Sequence, residues 1–363
     1  MNNKALTINV ALIGYGYVGQ YFHGPLLSAI EGLRLKTVVS SQVNKVKADF
    51  PDVTVVSSAE EAIKDSDIDL VVLATPNETH APLAEIALKA GKNVVVDKPF
   101  TLTLDQARPL QQVAEENQVL LSVFHNRRWD SDYLGIKAAI ESGKLGRIVH
   151  FESHIDKFQP QVIDRWRDKN LLGSGLWFDI GPHIADQALQ LFGLPESIQA
   201  NIANLRDNAE IDDWAHVVLN YAKHKVILNC TMLSAGGVSR FTVHGTEGSA
   251  SKKEADKQEN QLISGIKPGA PEWGVDAHNV ILFDANLIPS PQPTPKGDQR
   301  QYYFAIRDTL RGLRQNPVTP LQAIAVMAVI DAAYASEKEG STVALPLTSA
   351  EKEEWALHSK TSL

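Results

Sequence analysis

The 363-residue chain holds a single cysteine, Cys230. That excludes an internal disulfide framework and any zinc cluster built on cysteine, and it fits a reducing compartment. Positive charge is also short, since 35 Lys and Arg against 43 Asp and Glu leave a formal net charge of -8. No global positive field exists to hold nucleic acid or an anionic membrane, so small molecules are the expected partners. Long apolar runs are missing too. The first, Ile8–Ile13, falls far below the roughly 20 residues that span a bilayer. Neither a signal sequence nor a membrane anchor is expected, and a soluble cytoplasmic protein is. The chain has no internal repeat or low-complexity tract, which sets repeat architectures aside.

Apolar residues make up 44% of the chain. Its length exceeds the roughly 250–300 residues at which one core stops growing, so two domains are expected. From Ile8 to Val123, short β-rich runs (INVALIG, LRLKTVVS, DLVVLAT, NVVVD, VLLSV) alternate with helical spacing at Ser58–Lys64, Pro82–Ala90 and Leu104–Asn117. That rhythm predicts an α/β, doubly wound parallel sheet over residues 1–124. Residues 125–363 read as α+β, with a helix up to Ser142, a strand over Ile148–Ile155 and a helix near Pro182–Phe192. The runs Ser197–Leu205, Ala215–Tyr221, Lys225–Met232 and Arg240–His244 then follow with short connections, which predicts a large, mostly antiparallel open sheet. Such a sheet has a second face that needs cover, and a homodimer or homotetramer is the usual solution. Ser251–Pro295 reads as loops and short strands. Tyr302–Leu313 and Thr319–Glu337 read as helices, the second opened by Pro320.

Directly after the first strand stands Gly14-Tyr15-Gly16-Tyr17-Val18-Gly19. In this pattern the first glycine permits a tight turn, the second lets backbone approach a pyrophosphate, and the third allows close helix packing. The N–H groups that open the next helix point at the phosphates, where the dipole favours negative charge. A plain strand-to-helix turn can carry the same glycines, but placement in the first strand–helix unit favours dinucleotide binding. Gly24-Pro25 is expected to end that helix early. About 20 residues past the glycines, where a carboxylate would hold the ribose 2′-hydroxyl of NAD, stand Ser40 and Ser41. Nothing there repels a 2′-phosphate, and the hydroxyls, backbone amides and Lys45 or Lys47 can bind it. NADP is therefore favoured over NAD, although both lysines read equally well as decoration of a solvated helix.

Asp97-Lys98-Pro99 follows the strand NVVVD, at the carboxyl edge where doubly wound sheets bind ligands. An ammonium at Lys98 can donate a hydrogen bond or proton to a carbonyl oxygen receiving hydride. Strand-end lysines are ordinary, and the motif decides nothing alone. Asp179-Ile180-Gly181-Pro182-His183-Ile184-Ala185-Asp186 places a carboxylate and an imidazole one helical turn apart. Proline belongs in a first turn, so the helix is expected to begin near Ile180 with Asp179 at its N-cap. His183 would then lie in the first turn, where the dipole favours the neutral imidazole of a general base. Asp186 reads as structural. The bland alternative makes His183 a packing histidine and Asp179 a simple cap. An H-x-x-D metal site lacks further spaced ligands, and no metal is expected.

Together these residues resemble the Gfo/Idh/MocA oxidoreductases, a family that includes glucose-fructose oxidoreductase and inositol dehydrogenases, over nearly the whole chain. The resemblance rests on the glycine turn, Ala74-Thr75-Pro76-Asn77 with His80, Lys98-Pro99, Trp166-Arg167, and Gly175–Asp186. The segment NRRWD, Asn126–Asp130, is similar to the branch that contains bacterial scyllo-inositol dehydrogenases. The family implies an N-terminal Rossmann domain and a C-terminal substrate-binding and oligomerisation domain. It implies a catalytic group of Lys98, Asp179 and His183, with Thr75, Asn77, His80, Lys98 and Pro99 lining the nicotinamide side. Trp166 and Arg167 would reach the cofactor from the second domain. The expected reaction is hydride transfer between nicotinamide C4 and a hydroxyl or carbonyl carbon of a cyclitol or sugar, with a scyllo-inositol-like substrate favoured. Arg127, Arg128, Asp156, Lys157, Asp164 and Trp177 are candidate partners for a polyol. One departure is Asp97, a shorter acid where the family usually has Glu, which alters how Lys98 is positioned. Two other readings are a glycosidase that uses tightly bound NAD with no net turnover, and a non-catalytic dinucleotide sensor. Retention of Lys98, Asp179 and His183 together argues against the sensor.

Overall fold

The computed structural model describes residues 7–163 and 168–360, the last three by backbone alone. The chain divides into two compact units. One runs to Trp129 and takes in Lys257–Trp273 and Asp298–Ile324; the other comprises Asp130–Asp256, Gly274–Gly297 and the chain from Ala325. The expected boundary near residue 124 assumed a continuous second domain, whereas two later segments return to the first unit. Among the described residues, no helix is long and apolar enough to cross a membrane.

The first unit is built on six strands: β1 (Ile8–Ile13), β2 (Leu33–Val39), β3 (Thr54–Val56), β4 (Leu70–Leu73), β5 (Asn93–Val96) and β6 (Leu121–Val123). They pair in the order β3-β2-β1-β4-β5-β6, and every pairing is parallel. A sheet covered on both faces requires strands that are apolar on both sides. Val10, Ala11 and Leu12, Val71 and Val72, and Val94 to Val96 are accordingly all fully buried. The short β3 has no counterpart in the sequence reading, because three residues show no period. The helix after the glycine turn does not stop at Gly24-Pro25. It runs as a π-helical turn over Gly19–His23 and continues over Gly24–Ser28. A π turn is wider than an α turn, which is how the chain passes through a proline without ending.

The second unit holds β7 (Ile148–Asp156), β8 (Ser197–Ala203), β9 (Trp214–Asn220), β10 (Lys225–Thr231), β11 (Phe241–Gly245), β12 (Ser249–Lys252), β13 (Val280–Phe283), β14 (Pro289–Gln292) and β15 (Val343–Ala344). Their order is β14-β13-β12-β11-β7-β10-β9-β8-β15. All pairings are antiparallel except β10 with β7. Alternation sets which face is covered. Phe151, Val217, Leu219, Val226, Leu228 and Cys230 are fully buried, and the helix Leu176–Phe192 packs against β7, β9 and β10.

That helix departs from expectation. It begins at Leu176, not near Ile180, so Asp179 lies in its first turn and Pro182 in its interior. The cap comes from elsewhere in the chain: the Asp212 carbonyl accepts from Leu176 N–H at 2.9 Å, and Asp212 Oδ2 accepts from Trp177 N–H at 2.7 Å. With its first N–H groups satisfied from outside, the helix needs no local cap. An interior proline costs about 3 kcal/mol; burial of nearly every residue from Trp177 to Leu189 offsets it.

Candidate functional site

The register of the parallel sheet assembles the candidate site residues of the first unit. Val39 pairs with Ile13, Ile13 with Leu73, Leu73 with Val96, and Val96 with Val123. These residues stand side by side at the carboxyl edge. Whatever follows them lines one rim: Ser40 after β2, Gly14 after β1, Ala74 and Thr75 after β4, and Asp97 and Lys98 after β5. The chain order reverses between β1 and β4, the position at which doubly wound sheets take their ligands.

The three glycines of the turn are constrained differently. Gly14 has φ +99, and a Cβ there would strike the Ala74 carbonyl; a Cβ on Gly19 would strike the Gly14 carbonyl. Both are required by the fold. A Cβ on exposed Gly16 would meet no protein atom within 4 Å, so nothing in the protein demands glycine there. That is the mark of backbone kept bare for a ligand's approach, and the turn fits a dinucleotide pyrophosphate. Tyr17 is half-exposed, and Val18 leads into the π turn.

At the β2 rim, Ser41 is exposed and Ser40 half-buried, with Ser40 Oγ accepting from Gln42 N–H at 3.0 Å. The two lysines separate. Lys47 donates to the carbonyls of Pro51 and Val53 at 2.9 and 2.6 Å, which closes the end of its helix. Lys45 lies 5.8 Å from the Tyr15 ring centroid, back toward the glycine turn.

On the β4 and β5 side, Asn77 is buried and Thr75 half-buried, and Thr79 Oγ1 donates to Thr75 Oγ1 at 2.6 Å. The Lys98–Pro99 peptide is cis, and Lys98 is half-buried. His80 differs from the expectation that it lines the nicotinamide side. Its side chain is fully buried, with Nδ1 at 2.8 Å from the Pro99 carbonyl and Nε2 at 3.0 Å from the Thr75 carbonyl. No ring surface is left for a ligand, and His80 ties two rim segments together. Burial pushes its pKa down, against Asp97 and the two carbonyls.

Sequence reasoning missed a clasp beside the glycine turn, because its key residue lies far along the chain. The short helix Gln258–Ile263 brings Glu259 to Tyr17, whose O–H donates to it at 3.2 Å, and to Arg127, which donates at 2.7 Å. Arg128 donates to the Pro317 carbonyl and to Gln322 at 2.8 and 3.0 Å. Both arginines thus serve contacts within the first unit.

In the second unit, Asp179 and His183 are four residues apart on the helix Leu176–Phe192, hence on one face. His183 is buried and lies in the second turn, beyond the reach of most of the helix dipole. The expected electrostatic neutralisation of His183 therefore loses its cause. Trp177 is fully buried and belongs to packing. Trp166, Arg167 and Asp164 lie outside the described residues.

Asp212 was also missed. Tyr334 O–H donates to its Oδ1 at 3.2 Å, and burial pushes its carboxyl up to about 6, against the Trp177 N–H and Tyr334 hydrogen bonds that favour the anion. A raised carboxyl pKa favours the neutral group in the folded state. The stability it brings is full below the usual 3.8 and is lost as pH rises through about 6. Asp212→Asn, neutral throughout, is expected to melt a few degrees higher than the parent at pH 7.5 and to lose that advantage by pH 4. Scanning calorimetry at the two pH values checks this; an advantage that is the same at both would refute it.

Comparison with known proteins adds the following. Residues 8–125 match the family described as "Oxidoreductase family, NAD-binding Rossmann fold", and residues 137–345 match "Oxidoreductase family, C-terminal alpha/beta domain" of the Gfo/Idh/MocA group. The uncharacterized oxidoreductase YdgJ of Escherichia coli is 47% identical over 93% of this chain and 99% of its own. The scyllo-inositol 2-dehydrogenase (NADP(+)) IolW of Bacillus subtilis is 37% identical over 94% of this chain and 97% of its own. A crystal structure of a protein from Klebsiella pneumoniae is 58% identical, with a TM-score of 0.92 over 97% of this chain and 99% of that one.

Proposed function

The chain belongs to the Gfo/Idh/MocA oxidoreductases, and from that premise we propose that it is an NAD(P)-dependent dehydrogenase of a cyclitol or sugar, with a scyllo-inositol-like substrate and NADP favoured. The observation that carries the dinucleotide part is the rim after β1, β4 and β5, whose last residues Ile13, Leu73 and Val96 are side by side in register and whose following segments carry open Gly16, Thr75 and Lys98. The name of IolW supports the substrate class and the NADP preference, and the pair Ser40 and Ser41, where a carboxylate would select NAD, supports the latter.

The nicotinamide, when bound, supplies C4 as the donor or acceptor of hydride. The protein does the rest. His183 takes the proton of the substrate hydroxyl, Asp179 on the same helical face orients hydroxyls and imidazole, and the Lys98 ammonium stabilises the oxygen as charge develops on it. Lys98 thereby supplies the positive charge that a metal supplies in other alcohol dehydrogenases. Gly16 leaves the pyrophosphate its approach, while Thr75, Asn77 and Pro99 line the nicotinamide side. Trp166 and Arg167 are assigned to the cofactor on the resemblance alone.

Turnover is read as absorbance of reduced nicotinamide with NADP or NAD and a panel of inositols and sugars. The expected result is reduction of NADP with a cyclitol. Dinucleotide binding without turnover of any polyol would sink the dehydrogenase reading. Lys45→Ala is expected to raise KM for NADP about tenfold, the loss of one charge-assisted hydrogen bond, and to leave NAD within about twofold.

The same reading makes the protein a homodimer or homotetramer. The outer face of the nine-stranded sheet presents Trp214, Val218 and Ile227 beside His154 and His216, and this is the face assigned to a second copy. Light scattering that returns the mass of one chain, 39.8 kDa, would remove it.

A further inference from the structure

Lys98 stands between two residues that are gripped by buried histidines. On one side, Pro99 gives its carbonyl to His80, which also faces Thr75. On the other, the Asp97 carboxylate is approached by His23, whose Nε2 lies 3.4 Å from Oδ1. At that distance Nε2 makes no hydrogen bond to the carboxylate, and the attraction between them is electrostatic. His23 is itself held by Tyr303, with O–H and Nδ1 2.6 Å apart. Both residues are fully buried, and Asp97 is nearly so.

With the His23 ring neutral, the chemistry of the three groups sets the direction of this chain. A carboxylate only accepts, so His23 Nε2 must carry the proton that faces Asp97. Nδ1 of the neutral ring is then an acceptor, and Tyr303 must be its donor. The phenol suits that role, because burial holds its pKa well above the ordinary value and keeps the proton in place. The relay therefore runs from Tyr303 O–H to His23, and from His23 Nε2–H to Asp97. Burial alone would push the Asp97 carboxyl up; His23, Lys98 and His80 outweigh it and hold the carboxyl below its usual value.

Two features of the fold support a purpose beyond packing. His23 closes the π-helical turn, and wide turns of this kind often occur where a side chain must be re-aimed at a functional site. The acid it reaches is Asp97, one carbon shorter than the Glu expected there.

We propose that His23 and Tyr303 are positioning residues for Lys98, which they place by orienting the Asp97 carboxylate at the base of its strand end. The inference rests on the reading of Lys98 as the residue that stabilises the reacting oxygen. His23 and Tyr303 are fully buried, and they act through Asp97.

The test uses the full chain and three variants. Tyr303→Phe keeps shape and deletes the hydroxyl that fixes the tautomer. His23→Phe removes both polar contacts, and His23→Gln restores a donor and an acceptor. The first readout needs no substrate: lysines are reductively methylated with carbon-13 and the Lys98 signal, identified by its absence from Lys98→Arg, is followed by NMR. In Tyr303→Phe and His23→Phe that signal is expected to move while those of Lys36 and Lys45 stay. The second readout is turnover with the substrate found by the panel. kcat is expected to fall about tenfold in Tyr303→Phe and up to about a hundredfold in His23→Phe, with partial recovery in His23→Gln and dinucleotide Kd within about twofold. An unmoved Lys98 signal in folded Tyr303→Phe overturns the inference, as does parent-like kcat in that variant while Lys98→Ala is inactive. If Lys98→Ala itself keeps the parent's kcat, the reading of the reaction fails, and the inference falls with it.

Discussion

Lys98→Ala is expected to lower kcat by roughly two to four orders of magnitude, the range spanned by loss of a positioned proton donor or a preorganised charge. The fall should appear in kcat and kcat/KM together, because the interaction is made with charge that develops only in the transition state. The fold should not suffer. Lys98 is half-buried at the end of β5, and neighbouring Asp97 and Pro99 keep their own contacts to His23 and His80. Calorimetry that matches the parent, beside steady-state kinetics that do not, would establish the role. A folded Lys98→Ala with kcat within about threefold of the parent would remove Lys98 from the chemistry. His183→Asn is expected to show a comparable loss, which is recovered as pH rises because hydroxide then competes with the missing base. Like Asp179, it lies on a helix anchored by Asp212, so its effect too should be separable from unfolding.

Gly16→Val is expected to abolish dinucleotide binding while leaving the melting temperature within about 2 °C of the parent. No protein atom lies within 4 Å of the Cβ position of Gly16, whereas Gly14 and Gly19 would collide with backbone. Gly14→Ala is the contrast: with φ +99 and the Ala74 carbonyl in the way, it is expected to destabilise the first unit by more than about 1 kcal/mol as well as to weaken binding. Titration calorimetry with NADP and a thermal melt separate the two cases. A Gly16→Val protein that binds NADP with the parent's affinity would mean that the pyrophosphate does not pass over this turn.

The motifs whose meaning is local were readable from the chain. The glycine turn, the runs that become β1, β2, β4, β5 and β6, and the Asp179–His183 spacing all depend on residues within one element and its neighbour. Apolar period and glycine chemistry are short-range signals, and they survive into the fold because nothing distant opposes them. The structure departs from three readings, and in the first of them a distant residue intervened. The helix expected to begin near Ile180 begins at Leu176, because Asp212 supplies its cap. The helix expected to end at Gly24-Pro25 continues through a π turn. His80, one of the motif residues, proves to be a buried strut.

By itself, then, the sequence determined the alternation of strands and helices, the glycine turn and the residue types at the rim, since each is written in neighbours a few positions apart. Tertiary structure alone decided that Glu259 reaches Tyr17 and Arg127, that Tyr303 holds His23 against Asp97, and that Asp212 opens the helix of Asp179 and His183. Their separations, from 35 to 280 residues, explain why. A hydrogen bond needs two groups about 3 Å apart, and the chain states which groups exist but not which distant ones the fold will bring that close.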